Sequence, residues 1–389
     1  MSFFDWLFRK RCRVIVIEDG ILTSLQPNLH ELMEMWRREG AQRIFVFLYP
    51  KGAGGSPVPI RQFLKKLSKK YHLEGVMFVG DLPVAFFDET YASRHIVYTS
   101  DYFFMELNGT WSIGNANIVS TPSKQPPKIS AGRIFIGDDT GISSTRPPVS
   151  VYYNRTIKKM IRYRLRGGAL QSDSKAAVVS NLGGVDAYKD HLANIYSTAV
   201  IDTYDGVTDT EYQSVIEMDY AWILYYGHSD SGGHSMAEGT IWNPFDYHEA
   251  HILTDIFQFE SCATGQIAWH TNSDPYDPSS PQIAKALSDT FVSNILGNPS
   301  GGILVLAPSI PGFFDNMDRF YSYLQSGDTF GEAFRRWMIA EIAENDPHYM
   351  SLYGDPFLKL RVNPSLYRKK RSWWERLLDF FLGRGIQYV

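Results

Sequence analysis

Trp222-Ile223-Leu224-Tyr225-Tyr226-Gly227-His228 and Ile256-Phe257-Gln258-Phe259-Glu260-Ser261-Cys262 are two apolar runs that each end on a reactive side chain. Short, nearly continuous apolar runs bounded by turn residues read as strands covered on both faces, the pattern of a parallel sheet. Two such strands, side by side, deliver an imidazole and a thiol to the carboxyl edge of the sheet, where open α/β folds bind their ligands. A cysteine nucleophile acts as thiolate and needs a neighbour that lowers its pKa or takes its proton; His228 fits that need for Cys262.

Outward from these runs the chain alternates strands with helical periodicity, which predicts βαβ units and a mostly parallel sheet flanked by helices. Val14 to Ile17, Arg43 to Leu48, Gly75 to Val79 and Ala131 to Ile136 read as strands, with helices over Leu29 to Arg38 and Ile60 to Tyr71. Asn108-Gly109 carries hairpin chemistry. A loop from Thr140 to Pro148 precedes a basic helix from Val151 to Arg166. A second series follows, with strands at Ala176 to Ser180, Val200 to Tyr204, Ala221 to Tyr226, Ile252 to Phe259 and Gly302 to Ala307. Its helices lie near Lys189 to Thr198, Gln282 to Leu296 and Phe330 to Glu344. The expected division is an aromatic and basic segment over 1–12, an amino-terminal α/β subdomain over 13–148, a packed catalytic subdomain over 149–365 and a basic amphipathic helix over 366–389.

The 389 residues carry a formal net charge of -4, which gives no electrostatic case for nucleic acid as a partner. Cys12 and Cys262 are the only cysteines, so a disulfide framework is excluded and both are expected as free thiols, Cys12 semi-exposed and without a role. Neither a secretory signal nor an apolar run of spanning length is evident, so the expected location is cytoplasmic.

Five stretches taken in order carry a resemblance: Tyr98-Thr99-Ser100-Asp101-Tyr102-Phe103 with Leu107-Asn108-Gly109, then Ala131-Gly132-Arg133-Ile134, Tyr226-Gly227-His228, Glu260-Ser261-Cys262 and Leu352-Tyr353-Gly354-Asp355-Pro356-Phe357-Leu358. Together, across residues 75 to 361, they resemble the gingipain-type family of the caspase-like cysteine peptidases. The resemblance implies a caspase-like α/β fold, Cys262 attacking a peptide carbonyl and His228 as general base and acid. It also implies cleavage after a chosen residue, often a basic one, with no metal or organic cofactor. Two departures stand out. The family usually has glycine after the histidine where this chain has Ser229, and an acid found upstream of the Gly-Arg strand in some members has no counterpart from Lys128 to Ser130.

Around that pair, Glu260 is the nearest candidate to orient His228, with Asp230 and Glu238 weaker ones. The backbone amides of Cys262 and Ser229 are candidate oxyanion donors. Asp138 and Asp139, after the Gly-Arg strand, are candidates to receive a basic substrate side chain, and Trp242 and Trp269 are candidates to wall the cleft. His228, His234, His248, His251 and His270 lie near Cys262 in sequence, but no tight two-ligand spacing supports zinc, and Asn272 to Asp277 lacks the glycine and terminal glutamate of a calcium loop. The expected partner is a protein or peptide substrate. Trp373, Trp374, Leu377, Leu378, Phe381 and Leu382, behind Arg368 to Arg371, form an apolar face within residues 373–382 suited to a membrane surface or a partner groove. The alternative function is a catalytically impaired caspase-like module that acts as a binding or scaffold protein.

Overall fold

The computed structural model describes residues 10–52, 55–91, 94–114, 117–119, 125–137, 147–170, 174–230, 232–270, 284–286, 290–310, 316–342, 347–368 and 385–389. From the amino terminus come β1 (Arg11–Glu18), β2 (Arg43–Tyr49) and β3 (His72–Val79), a small separate sheet of β4 (Phe86–Tyr91), β5 (Arg94–Thr99) and β6 (Ile118–Val119), then β7 (Ser130–Ile134). The second series holds β8 (Ala176–Ser180), β9 (Ile201–Asp205) and β10 (Trp222–Tyr226), and the ribbon β11 (Ser229–Asp230), β12 (Gly233–Ser235) and β13 (Ile241–Trp242). After these come β14 (Ile256–Glu260), the pair β15 (Ala268–His270) and β16 (Ala284–Ala286), β17 (Leu304–Pro308), β18 (Met350–Gly354) and β19 (Gly385–Tyr388). Eleven of these strands form one sheet in the order β19-β2-β1-β3-β7-β18-β17-β14-β10-β8-β9.

The central strands β8, β14 and β17 are buried at every position, as the continuous apolar runs predict. The edge strand β9 alternates instead, and the same apolar pattern weakens where one face meets solvent. Helices α1 (Asp19–Arg38), α2 (Val58–Lys70), α3 (Tyr102–Met105), α4 (Val149–Arg166), α5 (Val185–Leu192) and α6 (Asp209–Ile216) belong to the first two-thirds of the chain. They are followed by α7 (Asp246–Glu249), α8 (Phe291–Gly297), α9 (Met317–Gln325), α10 (Phe330–Glu341) and α11 (Ser365–Arg368).

Several elements depart from expectation. Helix α1 starts ten residues before Leu29 and contains Pro27. Ile21, Leu25, Leu29, Leu32 and Trp36 make one buried stripe that continues through the proline, and burial of that stripe outweighs the cost of about 3 kcal/mol for an interior proline. Asn108-Gly109 does not join two strands. Both amides donate to the buried carboxylate of Glu106, which also accepts from the Trp111 indole at 2.8 Å. Cys12 is fully buried in β1 rather than semi-exposed, where burial and the charge of Glu74 push its thiol pKa up. The carboxyl end returns as β19, parallel to β2 at the edge of the sheet, and residues 373–382 lie outside the described residues.

The sheet runs without interruption from the first series into the second through β7 and β18, with Tyr353 level with Arg133. The motif residues of both series meet at this joint. A Cβ on Gly132 would lie 2.6 Å from the Gly354 carbonyl oxygen, so only glycine permits the approach. Arg133, fully buried, pairs with Asp101 at 2.7 Å over the ring of Phe78. Asp355, also fully buried, pairs with Arg164 of α4 at 2.7 Å and accepts from the Trp36 indole at 3.1 Å. Glu39 then bridges Arg164 and Arg13, each at 2.7 Å, and burial, which opposes its charge, is outweighed by those two guanidinium groups, leaving its pKa lowered to about 2.

Candidate active site

β10 and β14 are parallel neighbours with Tyr226 level with Glu260, and the Gly227 amide donates to the Glu260 carbonyl at 3.3 Å. His228 and Cys262 therefore leave the sheet two residues beyond the same level of adjacent strands, which lie about 4.8 Å apart in a sheet. The strand order reverses between β8 and β10, so this edge is also the topological switch point of the second series. His228 is exposed and Cys262 is half-buried and in no disulfide. Gly227 is closely hemmed in: a Cβ there would lie 2.5 Å from the Tyr225 hydroxyl and closer still to Asn181 Oδ1 at the end of β8, so one of those side chains would have to shift.

The turn after Cys262 is fixed from below by β17 and β18. Ala263 takes the left-handed backbone conformation, with φ of 54°, a region that costs a non-glycine residue free energy and persists where neighbours hold it. Its amide donates to the Ile310 carbonyl at 3.3 Å and that of Gly265 to the Pro308 carbonyl at 2.7 Å. The buried hydroxyl of Tyr353, on β18, donates to the Gly265 carbonyl. The Leu352 to Leu358 motif thus supports the thiol loop through Tyr353 and joins the half-sheets through Gly354 and Asp355.

Beyond His228 the chain turns into the β11–β12–β13 ribbon. Asp230 Oδ1 accepts from the amides of Gly232 and Gly233 at 2.7 and 3.0 Å, so its carboxylate closes that turn. The Ser235 amide donates to the His228 carbonyl at 2.9 Å, which makes Ser229 and His234 a non-hydrogen-bonded pair of the ribbon. The ladder to β12 consequently does not use the Ser229 amide, and the two side chains meet. Ser229 Oγ and His234 Nδ1 are 2.5 Å apart.

The remaining expected residues are dispersed. Glu260 is fully buried and accepts from Gln258 Nε2 at 2.8 Å, and Gln258 in turn contacts Met317 and Tyr321 of α9. Glu238 is exposed. Trp242 does not wall the cleft: it is 5% exposed and packs edge-on against Tyr212 and Tyr247, with ring centroids 5.5 and 5.7 Å away, because the ribbon folds it inward. Trp269 lies in β15, opposite Lys285 of β16. Asp138 and Asp139 lie outside the described residues.

Asn181, Tyr225, His234, Tyr247 and Tyr353 all shape this edge and were not singled out for it. A signal existed for His234, since the Asp230 to Gly233 turn chemistry predicts a tight hairpin that pairs Ser229 with it. For Tyr353 no local signal points to Gly265, because the two are brought together only by β17 and β18.

A half-buried thiol and an exposed imidazole at adjacent strand ends of an α/β sheet are the arrangement a cysteine hydrolase uses. The model of Peptidase family C25 matches residues 11–361, and the chain belongs to that family of cysteine peptidases. Among solved structures it resembles gingipain R (RgpB), an Arg-specific cysteine proteinase, with a TM-score of 0.57 at 14% identity over 91% of this chain and 79% of that one. The complex of Porphyromonas gingivalis RgpB pro- and mature domains gives 0.55 at 15% identity over 90% and 80%. At these identities the likeness establishes the caspase-like fold. No curated protein sequence matches the chain. As a peptidase it acts on protein or peptide substrates. Among the described residues no helix is long and apolar enough to cross a membrane.

Proposed function

We propose that Cys262 is the nucleophile and His228 the general base and acid of an endopeptidase that works through an acyl-enzyme. The observation that carries this reading is the register of β10 on β14, which brings the two residues out at one level of the same sheet edge. The imidazole takes the thiol proton as sulfur attacks the carbonyl, then returns it to the leaving amine, and water repeats the sequence on the thioester. The amides of Cys262 and Ser229 receive the developing oxyanion. Glu260, buried beneath the strand ends, is the acid proposed to orient His228 through the local field. A basic residue on the acyl side of the cleaved bond is proposed from the Arg-specific relative, with Asp138 and Asp139 as its receptors and Trp269 along the cleft.

Residues 149–365 are proposed as the catalytic half. A cytoplasmic location and contact with a membrane surface through residues 373–382 are proposed on sequence pattern alone. The test compares wild type with Cys262→Ala on a positional peptide library and on a peptidyl electrophile that labels thiols. Turnover and labelling are expected for wild type alone; labelling of the variant to the same extent would overturn the assignment.

A further inference from the structure

Serine at position 229 is both a departure from the family pattern and the residue whose amide is proposed to face the oxyanion. Its side chain is not loose. It shares a hydrogen bond with His234 Nδ1, and His234 is fully buried within the ribbon, with Tyr225 and Phe291 on either side, each with ring centroids 4.2 Å away. The far ring nitrogen, Nε2, lies 2.9 Å from the Tyr247 hydroxyl, which is 2.5 Å from the Tyr212 hydroxyl. Both ring nitrogens are thus engaged. Burial holds the His234 pKa well below its ordinary value, so the ring is neutral and has one donor and one acceptor to offer, matching its two hydroxyl neighbours.

The chain of contacts continues into the scaffold. The Tyr247 carbonyl accepts from Asn298 Nδ2 at 2.9 Å. Helix α8, which supplies Phe291, is closed at its carboxyl end by Lys159, whose buried Nζ donates to the carbonyls of Leu296, Asn298, Gly301 and Gly302. What these residues fix is the rotamer of Ser229 and, through it, the strand that immediately follows His228.

We propose that His234 is a positioning residue: tied to the Ser229 hydroxyl inside the ribbon, it holds the Ser229 amide toward the oxyanion position. The inference rests on the assignment of Cys262 and His228 given above. An amide that is displaced rather than removed should cost less than the roughly 10²- to 10³-fold in kcat lost with an outright oxyanion donor. The hydroxyl is needed for the tether, and the ring holds it at 2.5 Å beside its further contact with the Tyr225 hydroxyl.

The test is a double-mutant cycle read as kcat and KM on one peptide substrate. Ser229→Ala is expected to lower kcat by about 10- to 100-fold, less than the loss for an outright donor, with KM within about threefold. Ser229→Thr, which keeps the hydroxyl, is expected to recover most of that loss. His234→Phe is expected to resemble Ser229→Ala, and the double variant is expected to be no worse than the weaker single one, because both remove the same tether. Wild-type kcat in Ser229→Ala, a loss confined to KM, or losses that multiply in the double variant would overturn the proposal. If His234→Phe does not fold, Ser229→Ala against Ser229→Thr still decides it. Turnover by Cys262→Ala in the same assay would instead overturn the nucleophile assignment, and labelling of Ser229→Ala by the thiol-directed electrophile shows that the nucleophile is intact.

Discussion

Replacing Glu39 by glutamine removes the one carboxylate that bridges Arg13 and Arg164, side chains 2% and 0% exposed, at the joint between the two half-sheets. The Tyr367 hydroxyl also donates to it, at 2.7 Å. Its pKa falls from the ordinary 4.5 to about 2 because the two guanidinium groups outweigh the opposing effect of burial. A difference of about 2.5 in pKa, at about 1.4 kcal/mol each, makes the ionised carboxylate worth about 3 kcal/mol to the folded state. The folded pKa is the depressed one, so this stability is fully present above pH 4.5 and is lost as pH falls through about 2. By the same linkage about 1 kcal/mol of it remains at pH 3. Urea unfolding at pH 7 should show Glu39→Gln less stable by about 3 kcal/mol, in line with the cost of breaking a buried ion pair. At pH 3 the gap should shrink to about 1 kcal/mol, because Glu39 is then protonated in the unfolded chain while still mostly ionised in the folded one. A gap under about 0.5 kcal/mol at pH 7, or one that stays constant down to pH 3, would refute the reasoning.

Two further changes test the supports of the proposed dyad. Gly227→Ala forces a Cβ against Asn181 and the Tyr225 hydroxyl, so kcat/KM should drop by about 10²-fold or more, with a stability loss of about 1–3 kcal/mol in thermal unfolding; activity within threefold of wild type would show that the backbone can give way there. Tyr353→Phe removes the donor to the Gly265 carbonyl and should destabilise by about 1–2 kcal/mol while slowing the labelling of Cys262 by a peptidyl electrophile. Unchanged labelling kinetics would separate Tyr353 from the thiol loop.

The largely apolar runs at 176–180, 222–226 and 256–260 marked their own strands, because a strand covered on both faces is apolar at most positions and its few polar side chains, such as Gln258 and Glu260, must find partners inside. Placing His228 and Cys262 just past two such runs was enough to bring them to one sheet edge once the strands paired in parallel. The edges of the sheet were less legible. β19 is a short strand with Gln387 and Tyr388 exposed, and β18, the antiparallel partner of β17, carries a motif whose strand character its own residues do not announce. Pro27 hid half of α1, since a local rule against proline carries no knowledge of the stripe packed beneath it.

Tertiary structure alone decided which polar groups meet. Trp36 and Asp355 are 319 residues apart, and Tyr353 and Gly265 are 88 apart, yet each pair shares a hydrogen bond. Periodicity and turn chemistry act over a few residues, so the sequence by itself could specify the strands, the turn that pairs Ser229 with His234 and the two reactive side chains. The burial that neutralises His234, and the charges that hold Glu39 ionised, come from side chains that only the folded sheet assembles around them.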